Sequence, residues 1–130
     1  MKTDLGWRGL PRISEHDLQL AVVKELAVRM PKDIPWTSVD HAAKLSLRQA
    51  AQRKARGVKK GQPDLRFVIP PHGQSAEIEL KIPGTYQTPE QKAWQCAAVK
   101  AGGLYAVCRS MAEVEGTLKG WGVELIGRAA

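Results

Sequence analysis

One eight-residue stretch limits the fold more than any other part of the chain. Residues 75–82 read Ser-Ala-Glu-Ile-Glu-Leu-Lys-Ile. A strand has a side-chain period of two, so Glu77, Glu79 and Lys81 share one face and Ile78, Leu80 and Ile82 share the other. The apolar face belongs against a core. The charged face is unusual for an interior strand, because three ionisable groups in a row must be hydrated or coordinated. Just upstream, 64–69 (Asp-Leu-Arg-Phe-Val-Ile) reads as a second strand, and Pro70-Pro71-His72-Gly73 between the two reads as a turn. The pair is therefore expected to form a hairpin. In a hairpin the start of the first strand lies beside the end of the second. Asp64 should then approach Glu79 and Lys81.

The flanking sequence supplies helices for both sides of a sheet. Ser14 is a good N-cap, followed by Glu15 and Asp17 in the first turn, where the helix dipole favours acids. Leu18, Ala21, Val22, Leu26 and Met30 recur at helical spacing before Pro31, which predicts a helix over 14–30. A brief strand is expected at 34–39, and helix-forming residues at 43–56 end at Gly57. Thr88 and Pro89 open a further helix that runs to Lys100 and stops at Gly102-Gly103. Residues 104–109 read as an apolar strand buried on both faces, and Ser110 caps a last helix to Lys119. The order predicts an α/β fold, a mixed central sheet flanked by helices. A length of 130 residues fits one domain over 1–130, with 1–12 as a loosely held arm.

Charge narrows the partner. The chain carries 20 Lys+Arg against 13 Asp+Glu, a net +7. Between His41 and Pro63 lie Lys44, Arg48, Arg53, Lys54, Arg56, Lys59 and Lys60, with no acid. These seven cations equal the whole net charge, so the remainder sums to zero. A cationic stripe on a neutral body suggests a polyanion partner; the plain alternative is a solvated basic loop. Cys96 and Cys108 show no metal-finger spacing and read as buried, reduced thiols. No stretch approaches 18 apolar residues and the first residues form no hydrophobic signal region, so no membrane partner and a cytoplasmic location are expected.

Two carboxylates held together repel each other unless a cation sits between them. Hard oxygen donors left open to water suit Mg²⁺ or Mn²⁺. Such an ion polarises a phosphoryl oxygen and lowers the pKa of bound water. A lysine one strand-step away can orient or deprotonate that water and offset charge building on phosphorus. Asp64, Glu79 and Lys81 are thus a minimal set for phosphodiester hydrolysis. The competing reading is a solvent-facing salt-bridge ladder between Glu79 and Lys81.

GQPDL (61–65), EIELK (77–81) and TPEQKAW (88–94) together resemble the VRR-NUC branch of the PD-(D/E)xK nuclease superfamily. The resemblance implies a restriction-endonuclease-like αβββαβ core and Mg²⁺- or Mn²⁺-dependent endonuclease action on DNA, selective for flap, branched or junction structures. By motif, Asp64 and Glu79 would be metal ligands and Lys81 the catalytic lysine. Glu15 matches an additional acidic position that binds metal, and Gln91 the glutamine of a Gln-x-x-Trp helix completed by Trp94. Similar stand-alone members are typical of phages and bacteria, which implies the cytoplasm of a bacterial or phage-infected cell, and some assemble as homodimers.

Plainer readings stand beside these. Glu15 is also explained as a dipole-favoured capping residue, Trp94 as core packing and Gln91 as a surface polar group. Glu77 is a weaker candidate to support the site. The alternative function is a non-catalytic nucleic-acid-binding module using the basic 44–60 segment. RNA is not separated from DNA by any short motif.

Overall fold

A computed structural model describes residues 13–39 and 45–127. Lys44, His41 and the expected arm at 1–12 lie outside the described residues. The elements in chain order are α1 (Glu15–Arg29), β1 (Trp36–Ser38), α2 (Leu47–Ala55), β2 (Leu65–Ile69), β3 (Gln74–Leu80), α3 (Pro89–Lys100), β4 (Leu104–Cys108) and α4 (Met111–Gly120). The strands form one sheet in the order β1-β2-β3-β4, with β1, β2 and β3 antiparallel and β4 parallel to β3. Four helices flank this mixed sheet, the α/β arrangement that the periodicity predicts.

The hairpin register pairs Ile69 with Gln74 and Leu65 with Ile78, leaving 70–73 as the connecting turn. Pairing runs past the formal strand ends. Asp64 donates its backbone N–H to Ile78 O at 3.1 Å, and Lys81 donates to Cys108 O at 3.0 Å. These ladder bonds fix the backbone of both residues beside the central strand.

The core collects Leu18, Val22 and Leu26 from α1, Leu65 and Phe67 from β2, Ala76, Ile78 and Leu80 from β3, and Val114 and Leu118 from α4. Each large side chain taken fully out of water contributes about 2 kcal/mol. The opposite, charged face of β3 is covered by α3, whose Gln91 and Trp94 bond to Glu79 and Glu77.

Two expectations need correction. β4 is a sheet edge whose first four residues are only half-buried, not a strand enclosed on both faces. Its apolar run reflects contact with α3 and α4 across a partly open margin. Cys96 is exposed, because α3 buries none of its residues fully, whereas Cys108 is buried. Among the described residues, no helix is long and apolar enough to cross a membrane.

Candidate active site

A cleft of about 410 Å³ opens at the end of β3 and is lined by Glu15, Asp64, Glu79, Lys81 and Gln91, with His16, Gln19 and Gln62 at its margins. The five acidic, basic and amide residues that the sequence marks as catalytic or metal-binding therefore meet in one place. Asp64 and Glu79 lie on the same side of the sheet, although 15 positions apart.

Each side chain is positioned by a local device. Asp64 Oδ2 accepts the backbone N–H of Leu80 at 2.7 Å, which pins the carboxylate across the hairpin mouth. Gln91 sits at the third position of α3 and does two things at once. Its Oε1 accepts the Thr88 backbone N–H at 2.8 Å, closing a capping box with the Thr88 hydroxyl, while its Nε2 donates to Glu79 Oε2 at 3.0 Å. Lys81 Nζ lies 3.3 Å from Glu15 Oε1 and 3.9 Å from Glu79 Oε2.

The loop before Asp64 is held equally closely. Gly61 has φ +83°, and a Cβ there would lie 2.5 Å from the Glu90 carbonyl carbon of α3. Only glycine permits this approach, which locks the 58–62 turn against the helix that carries Gln91.

Burial makes the electrostatics severe. Glu79 is 2% exposed and Lys81 6% exposed, which rules out a solvent-facing salt-bridge ladder. Desolvation, followed by the charge of Asp64 and hydrogen bonding with it, pushes the Glu79 carboxyl up to about 9; Lys81 opposes the rise and Glu15 adds slightly to it. Glu79 Oε1 is buried with no hydrogen-bond partner among the described residues. Both observations describe a carboxyl that the protein alone, even with Lys81 3.9 Å away, does not hold ionised at neutral pH. Asp64 and Glu79 are the residues that could hold a hard cation there. Among the described residues no three His, Cys, Asp or Glu groups are arranged to hold a metal. Two carboxylates with water filling the remaining positions suit an ion that dehydrates reluctantly.

Residues 12–112 match the model of the VRR-NUC domain, which covers most of the chain. The chain belongs to the VRR-NUC domain family. This is a nuclease-type domain family. The VRR-NUC fold also recurs among solved structures. One, described as a VRR_NUC domain protein, is 24% identical, with 86% of this chain and 90% of that one covered at a TM-score of 0.70. Another, described as a VRR_NUC domain, is 17% identical, with 82% and 97% covered at a TM-score of 0.51. No curated protein matches.

Away from the cleft, the structure sorts the remaining sequence candidates. Trp94 is neither plain core nor an open stacking surface: its Nε1 donates to Glu77 Oε1 at 3.0 Å and the Arg66 guanidinium lies 5.3 Å over its ring. Arg66 Nε is 3.1 Å from Glu77 Oε2, and Arg66 Nη2 donates to Gln62 Oε1 at 2.9 Å. Glu77 is thus supported on both oxygens and lies outside the cleft lining. Arg66 and Gln62 were missed from sequence. The signal for Arg66 was present, since the four-residue turn sets Arg66 directly opposite Glu77. Of the basic residues, Arg53, Lys54, Lys59 and Lys60 line a second hollow that shares Gly61 and Gln62 with the cleft. Arg48 on α2 and Arg56 at its C-cap do not line that hollow.

Proposed function

We propose that this VRR-NUC domain is a Mg²⁺- or Mn²⁺-dependent endonuclease that hydrolyses DNA phosphodiester bonds, with preference for flap, branched or junction structures. The observation that carries the reading is Glu79, a buried carboxyl beside Asp64 with one oxygen left unpartnered at the floor of an open cleft. A protein that only bound nucleic acid would have no use for that costly arrangement.

Asp64 and Glu79 would hold the ion. When bound, it would polarise a phosphoryl oxygen and ease deprotonation of a water. The chain's own groups do the rest. Gln91 fixes the Glu79 carboxylate through Oε2, and the other oxygen has no hydrogen-bond partner among the described residues. Lys81 offers its ammonium to the attacking water and to the negative charge that grows on the phosphoryl oxygens. Glu15, paired with Lys81, holds that ammonium in place rather than serving as a third ligand. Water oxygen bonds to phosphorus as the bond to the leaving sugar oxygen breaks, and the leaving oxygen takes up a proton.

The test is a panel of labelled single-stranded, duplex, flap and four-way DNA incubated in Mg²⁺, in Mn²⁺ and in EDTA. Cleavage should require the divalent ion, favour branched DNA and disappear in folded Asp64→Ala and Lys81→Ala proteins. Metal-dependent cutting that survives both substitutions would sink the assignment.

A further inference from the structure

α2 gives the hydrophobic core no residue. α2 buries none of its residues, and Leu47 on it is 92% exposed. Both ends are nevertheless well made: Ser46 and Gln49 form a complete capping box, and the Arg56 backbone N–H closes the last turn on Gln52 O. A capped helix that buries none of its residues contributes little to the core, so its use lies in what it presents.

Between α2 and the 58–62 turn is a hollow of about 690 Å³. Its cations are Arg53, Lys54, Lys59 and Lys60. Leu45, Ala50, Ala51 and Val58 line it too, and among the described residues no acid does. Gly61 and Gln62 line both the hollow and the Asp64–Glu79 cleft, so the two cavities adjoin. The junction is rigid, because Gly61 is wedged on the α3 backbone and Gln62 is held by Arg66 and by the Lys59 carbonyl.

We infer that this hollow seats an unpaired nucleotide of a DNA strand whose neighbouring phosphate lies in the cleft; the inference rests on the proposed nuclease reading and names where its structure preference arises. The cations match the phosphates of a strand. The apolar positions decide between strand and duplex. A duplex meets a protein surface with phosphates and sugars and keeps its base faces stacked, so it gains nothing from Leu45, Ala50 or Val58. An unstacked base exposes an apolar face that such positions cover. A cavity of this size is of the order that buries one small-molecule ligand, which suits a splayed nucleotide rather than a length of helix.

The experiment is anisotropy titration of a labelled duplex, blunt or ending in a four-nucleotide unpaired arm, in EDTA so that no cutting occurs. Wild type should bind the armed duplex about tenfold more tightly than the blunt one. Lys54→Ala and Ala50→Glu should remove most of that difference, weakening the armed duplex several-fold more than the blunt one. Arg48→Ala, which removes a cation from the same helix outside the hollow, should weaken both ligands alike. All three sites are exposed, and circular dichroism checks that each variant is folded. Equal wild-type affinity for blunt and armed DNA, or Lys54→Ala indistinguishable from Arg48→Ala, overturns the seat. A cutting assay in Mg²⁺ separates the two ideas: a protein that discriminates arms but never cuts overturns the hydrolysis and leaves the seat standing.

Discussion

Glu77 and Glu79 stand two residues apart on one face of one strand, and both are buried, at 5% and 2% exposure. Their surroundings differ. Glu77 has the Trp94 indole N–H on one oxygen and the Arg66 guanidinium beside the other. Glu79 has Gln91 on one oxygen and nothing on the other, with Asp64 adding like charge. The first carboxylate is part of the scaffold, since its charge is answered from within the protein. The second has only the Lys81 ammonium, 3.9 Å away, to set against the like charge of Asp64, and one oxygen without a partner among the described residues. Burial of an acid is thus no sign of a site; burial beside a like charge, with an oxygen unpartnered, is a better one.

The largest expected effect separates the two acids directly. Glu79→Gln should cut the metal-dependent cleavage rate by roughly 10³-fold while raising the melting temperature of the metal-free protein at pH 8, because an amide needs none of the protons that folding makes the Glu79 carboxyl take up there. Glu77→Ala should do the reverse. It strands Arg66, lowers stability by about 3 kcal/mol in urea unfolding, and leaves the cleavage rate of the folded fraction near wild type. If both variants lost activity and stability in parallel, the contrast between them would be wrong.

The pH dependence follows from the same asymmetry. The Glu79 carboxyl rises from its ordinary 4.5 to about 9 in the fold. Between those values the native state holds a proton that the unfolded chain has released, so stability falls as pH rises through that window. Metal-free protein should therefore melt at progressively lower temperature from pH 5 to pH 9, and Glu79→Gln should flatten the trend. Saturating Mg²⁺ should flatten it too, with proton release on binding measurable by calorimetry in buffers of different ionisation enthalpy.

Gly61→Ala probes the closure between turn and helix. The left-handed backbone and the 2.5 Å approach to Glu90 make any Cβ strained. A loss of about 2 kcal/mol in denaturant unfolding is expected, with slower cleavage as Asp64 shifts. The smallest effect belongs to Trp94→Phe, which removes one hydrogen bond to Glu77. About 1 kcal/mol of stability should go, with no change in cutting rate.

Much of this was legible in the chain. The alternation at 75–82 and the turn at 70–73 were enough to bring Asp64 to Glu79, because hairpin register is set locally. Thr88 and Pro89 announced the start of α3 through capping chemistry, while the capping role of Gln91 emerged only in the structure. What the sequence hid depends on packing between distant elements. Period two assigns Glu77 and Glu79 to one face but cannot say that α3 buries that face, nor that Arg66 answers one acid alone. The apolar run at 104–109 reads as interior, yet strand order alone decides that β4 is an edge. Cys96 lies on a helix whose depth is likewise set by tertiary contact.

Gln91 joins two jobs in a single amide: its oxygen helps close the first turn of α3, and its nitrogen orients Glu79. Any loosening of that first turn would therefore release the acid from its partner as well.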